Sequence, residues 1–140
     1  MPMTPEAIRL VRESWARVED ARADLARAFY QHLFTIAPET RRLFSHVPPD
    51  IQAEKFGDML GEIVRVLDQP YRMLPQVNLL GQRHTHYGVS ADDYAPVGDA
   101  LLLALEEKLG SEFTPRLHAA WREAYQMLAH TMVRHAIREP

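Results

Sequence analysis

The chain has 140 residues, 46% hydrophobic and 25% charged, with a formal charge of -3 and no cysteine. That length and balance suit one domain, residues 1–140, large enough to bury a core and still line a cavity. The charge gives no footing for nucleic acid as a partner, and the lack of cysteine excludes a disulfide framework, thiolate zinc sites and thioether-linked cofactors.

The opening MPMTPEAIRL has no basic run followed by an apolar segment, so no signal peptide is expected. No apolar stretch approaches the roughly 20 residues that span a bilayer. The expected location is the cytoplasm.

Thr4-Pro5 reads as an N-cap followed by a first-turn proline. Ile8, Val11, Trp15 and Val18 then recur with helical spacing. A second helix is expected over about 21–36, with Leu25, Phe29, Leu33 and Phe34 inward. Pro38 opens a short helix ending near Phe44, and SHVPPD (45–50) makes a corner. A long helix follows from Ile51 to about Leu67, and DQPYRMLP (68–75) breaks it. Another covers roughly 75–86, stopped by Gly88. Ser90 with Asp93 opens a helix that reaches Leu109-Gly110. Thr114-Pro115 caps the last one, with Leu117, Trp121, Ala124, Leu128 and Met132 as its stripe. No segment alternates like a strand. The expectation is an all-α domain of about seven helices with short connections.

Three inward positions are unexpectedly polar. In the helix over 75–86, seven residues on from Val77 and four on from Leu80 both give His84, so His84 lies on the apolar stripe. His86 falls near the opposite face and reads as solvated or at a cavity rim. Periodicity alone reads His84 as a core histidine satisfied by a hydrogen bond, because packing is commoner than ligation. No other histidine stands three or four residues from it to build a protein-only metal site. A single histidine suffices where a cofactor supplies the remaining ligands, as haem does. Tyr30 lines up with Ala26, Leu33 and Phe34. Gln52 begins the stripe Phe56, Met59, Leu60, Ile63 and Leu67. A buried hydroxyl or amide without a partner costs about 1–3 kcal/mol. Either each finds a backbone partner, or Gln52 frays outward at its helix start, or both face one cavity and donate to a small ligand.

Several stretches together resemble a known family. AFYQHLFTIAPETRRLF (28–44), Gln52 four residues before Phe56, LGQRHTHYGV (80–89), YAPVGDALLLAL (94–105) and AWREAY (120–125) resemble the globins, in their order and at their spacings. The resemblance is in particular to single-domain bacterial globins related to flavohaemoglobins and neuroglobin. The resemblance implies a globin fold holding haem b, with His84 as the proximal iron ligand. It places Phe44 on the porphyrin and Phe56 beside the bound gas. Leu80, Val89, Tyr94 and Val97 belong to the implied haem pocket, and Tyr30 with Gln52 is the implied distal pair.

The chain departs from the pattern in places. Flavohaemoglobins carry a reductase domain after the globin, and this chain ends at Pro140. They polarise the proximal histidine with a tyrosine and a glutamate; Tyr94 matches the tyrosine, but Ala136 stands where the glutamate is expected. That implies a less electron-rich His84 and argues against peroxidase-like chemistry. Gln52 occupies the place of the distal histidine of neuroglobin-like proteins, so bis-histidine ligation is not expected. Tyr30 also admits direct ligation of ferric iron at raised pH. The expected function is tight, reversible dioxygen binding, for storage, transport or scavenging, with NO and CO as further ligands. The alternative is nitric oxide dioxygenation, sustained by a separate reductase.

Overall fold

The structure, a computed structural model, describes residues 3–44, 48–69 and 94–138, with the side chains at 43, 94 and 130–138 outside that description. Among the described residues, five α-helices run in chain order: α1 (Pro5–Val18), α2 (Arg22–Ile36), α3 (Pro49–Arg65), α4 (Tyr94–Leu109) and α5 (Pro115–Arg138). Single-turn 3-10 segments at Glu19–Ala21 and Gly110–Glu112 join neighbours, and a longer one spans Pro38–Phe44. No strand occurs among the described residues. The helix expected over 75–86, its Gly88 stop and the Ser90–Asp93 start lie outside the described residues.

The local signals explain most boundaries. Thr4 Oγ1 accepts from the Ala7 amide at 3.2 Å, and Thr114 Oγ1 does the same for Leu117 at 3.2 Å. In each case the following proline takes the first helical position, where its missing N–H costs nothing. The long helix starts at Pro49, two residues before the expected Ile51. Pro49 fixes φ near the helical value, so the helix begins as soon as the corner allows. At its other end α3 stops at Arg65, short of the expected Leu67. There Arg12 of α1 donates to the Val64 and Arg65 carbonyls at 3.2 and 2.8 Å, and pairs with Asp68 at 2.7 Å. A guanidinium on terminal carbonyls is a C-cap supplied from another helix, which periodicity along one segment cannot reveal.

The inward stripes read from the sequence form one core. Val11, Trp15, Val18, Leu25, Phe29, Leu33, Leu60, Ile63, Leu117, Trp121, Ala124 and Leu128 are buried, and Ile8, Phe34, Phe56 and Met59 are half-buried against them. α2 lies centrally, packed on α4 and α3, while α1 packs on α5 and α3. The α2–α3 crossing depends on Gly57: a Cβ there would meet Arg22 Cγ at 3.1 Å and the Arg22 carbonyl at 3.3 Å. Without a side chain at 57 the two backbones approach closely, which brings the first turn of α3 over the middle of α2. That crossing positions Gln52 against Tyr30.

Candidate functional site

Tyr30 stands at the centre of an aromatic cluster drawn from three elements. α2 supplies Phe29, Tyr30 and Phe34, the 38–44 segment supplies Phe44, and α3 supplies Phe56. Phe29 stacks on Phe56 with centroids 4.3 Å apart. Phe44 and Phe56 meet the Tyr30 ring edge-on at 5.1 and 5.8 Å, and Phe34 lies 6.0 Å away. Such pairs add about 0.5–1.5 kcal/mol each beyond their burial, so the geometry around Tyr30 is over-determined. Arg41 places its guanidinium 4.7 Å from the Phe34 centroid, on the outer side of the cluster. Arg41 was not a candidate from the sequence. Its seven-residue separation from Phe34 crosses a helix end and a proline, so no helical spacing links them.

Gln52 lies in the first turn of α3, and its Nε2 donates to Tyr30 Oη at 3.0 Å. The two polar residues expected to face one cavity thus meet directly. The direction of the bond matters. Tyr30 accepts, so its own O–H proton remains available, and among the described residues it has no acceptor. A half-buried hydroxyl with an uncommitted proton suits a small acceptor held between these rings. Burial pushes the Tyr30 hydroxyl from its ordinary 10.0 up to about 12, and the Gln52 amide opposes part of that rise. Near neutral pH this environment therefore holds Tyr30 as a phenol, a donor rather than an anionic ligand.

The folded state keeps the Tyr30 proton longer than the unfolded chain does, so this contribution to stability is complete below pH 10 and is lost as pH rises toward 12. In an alkaline absorbance titration, one of the five tyrosines should ionise late. Tyr30→Phe should remove that late component and leave the others. A late component that survives in Tyr30→Phe would assign it to another tyrosine.

The implied haem can be tested against these residues. Among the described residues no three His, Cys, Asp or Glu side chains are placed to hold a metal ion. What the cluster offers instead is ring faces and one uncommitted O–H, the donor set of a dry distal wall, and it fits that side of a haem. Phe44 and Phe56 line it, both half-buried and packed on the core. Val97 on α4 is likewise half-buried on the core. His84, Leu80, Val89 and His86 lie outside the described residues, as do the side chains of Tyr94 and Ala136. Among the described residues, no helix is long and apolar enough to cross a membrane.

Comparison with known proteins bears on the family and the fold. The Globin family model matches residues 27–132. A flavohemoprotein of Bordetella parapertussis is 31% identical over 133 residues, 94% of this chain and 33% of that protein. One of Rhodopirellula baltica is 29% identical over 129 residues, 91% of this chain and 32% of that protein. The chain therefore spans about a third of the length of these relatives. Among solved structures, an engineered carbene transferase made from a candidate nitric oxide dioxygenase of Rhodothermus marinus superposes with a TM-score of 0.88. It is 29% identical, with 97% of this chain and 94% of that one covered. A bacterial globin of Campylobacter jejuni reaches 0.85 at 21% identity, covering 96% and 97%, a likeness of fold. With that family model covering most of the chain, and with an all-helical core that superposes on a bacterial globin, the chain belongs to the globin family.

Proposed function

We propose that the 140 residues form a single globin domain that binds haem b and holds dioxygen reversibly and tightly. The observation that carries this reading is the Gln52–Tyr30 hydrogen bond, oriented so that the phenol proton stays free to donate. The cofactor supplies an iron that binds small gases, with His84 as its protein ligand. Every other part of the work falls to this chain's own residues. Gln52 fixes the Tyr30 hydroxyl by donating to its oxygen. Tyr30 in turn donates to a ligand that carries partial negative charge. Phe29, Phe34, Phe44 and Phe56 exclude water, so that the donated bond is not shared with solvent. Phe44 would pack on the porphyrin, and Leu80, Val89, Tyr94 and Val97 would complete the pocket that holds it.

A second reading is nitric oxide dioxygenation. It is favoured by relatives named flavohemoprotein and by a structural neighbour described as a candidate nitric oxide dioxygenase. The same donor would serve it, and it requires a reductase to return ferric iron to ferrous.

An optical spectrum tests the proposal. The haem-loaded protein, reduced and then opened to air, should show oxygenated bands that persist for hours. Rapid return to the ferric form would count against a carrier and turn attention to nitric oxide consumption with added reductases. His84→Gly should lose the normal spectrum and regain it with added imidazole. An unchanged spectrum in that variant would remove His84 from the iron.

A further inference from the structure

The chain has two tryptophans, and the fold sets them side by side. Trp15 of α1 and Trp121 of α5 are both buried, with ring centroids 6.5 Å apart and planes inclined at 55°. Their N–H groups have different partners. Trp121 Nε1 donates to Ser14 Oγ at 2.9 Å inside the core. That hydroxyl faces the carbonyls of Leu10 and Val11, each 2.9 Å away, which hold its own proton. Trp15 Nε1 donates to Glu19 Oε2 at 3.1 Å, and Glu19 is exposed.

The difference decides what each ring can do when oxidised. An indole that loses one electron becomes a strongly acidic N–H cation. The Glu19 carboxylate is a base placed to take that proton; the Ser14 hydroxyl is not. An electron vacancy on Trp121 therefore remains a buried positive charge, which is costly, whereas on Trp15 it relaxes to a neutral radical. We infer that Trp121 and Trp15 form a one-way relay carrying oxidising equivalents from the interior to the surface at Glu19. Tyr125 lies one helical turn from Trp121. Its ring seats on Gly98, where a Cβ would come within 2.7 Å of Tyr125 Cε2.

The step balances. A peroxyl-radical oxidant in the interior takes an electron from Trp121, becoming the peroxide anion, and Trp15 refills Trp121. The Trp15 Nε1 proton passes to Glu19. A soluble reductant of the ascorbate class then returns one electron to Trp15, and Glu19 returns the proton. One electron has moved inward and no bond is altered. The relay stands on the indole geometry. That its oxidant arises at the gas site rests on the function proposed above, and a photochemical oxidant separates the two.

The test is transient absorption after oxidation of the whole protein by flash-generated ruthenium(III) polypyridyl. The wild type should show the neutral indolyl radical. Glu19→Gln keeps a hydrogen-bond acceptor and should show the indole cation, deprotonating roughly a hundredfold more slowly, the low end of what a positioned base contributes. Trp15→Phe should abolish the neutral radical and leave the Trp121 cation. A neutral radical that forms at the wild-type rate in Glu19→Gln, or that survives in Trp15→Phe, would overturn the relay. Loss of the oxygenated spectrum would sink the gas-binding reading and leave this result unaffected.

Discussion

Replacing Tyr30 by phenylalanine should accelerate dioxygen release by roughly tenfold, the kinetic equivalent of one hydrogen bond of about 1.4 kcal/mol in the bound state. The hydroxyl is the group to remove, because Gln52 directs one of its two amide N–H bonds at Tyr30 Oη and so aims the free phenol proton. The ring itself is retained, so its contacts with Phe44, Phe56 and Phe34 persist. Carbon monoxide supplies the control, since it takes on much less negative charge when bound and its release should change little. Flash photolysis and stopped-flow mixing read both rates. An unchanged dioxygen off-rate would remove the role given to Tyr30. Equal acceleration for both gases would point to a looser pocket rather than a lost donor. Gln52→Leu should have a smaller effect than Tyr30→Phe, because Gln52 acts on the ligand chiefly by orienting the hydroxyl.

Trp121→Ala should cost about 3–5 kcal/mol, as large-to-small changes of buried aromatics do. Trp121 is 2% exposed and sits where α1 and α5 meet. The cavity would open between those two helices, and the melting temperature should fall by about 10–15 °C. Trp121→Phe keeps most of the ring volume and loses the bond to Ser14 Oγ, so about 1–2 kcal/mol is expected. The Ser14→Ala change in a double-mutant cycle isolates that bond. If Trp121→Phe proves as damaging as Trp121→Ala, the hydrogen bond rather than the packed volume dominates at this site. Chemical denaturation at matched cofactor occupancy gives the comparison, since a bound ligand shifts apparent stability.

These two residues show how differently function and stability were legible. Trp121 follows from helical periodicity: the stripe Leu117, Trp121, Ala124, Leu128 is regular, and each member is buried. That Trp121 would meet Ser14, 107 positions away in sequence, follows from nothing in either segment. Tyr30 was legible as an inward polar residue, and the family resemblance paired it with Gln52. The direction of their hydrogen bond was not legible, because it depends on how α3 crosses α2 at Gly57.

The sequence by itself determined the helical class, the caps at Thr4 and Thr114, the inward stripes and the family pattern. All of these are local, set by spacing along one segment and by side chains that bond their own backbone. Only the tertiary structure decided where α3 ends, since the Arg12 cap reaches it from another helix. It also decided that Arg41 covers Phe34, that Tyr30 keeps its proton to higher pH, and that two tryptophans with unlike partners lie 6.5 Å apart. The reason is physical. Periodicity fixes which face of a helix is buried, but desolvation, donor direction and ring contact depend on what the opposite helix presents there.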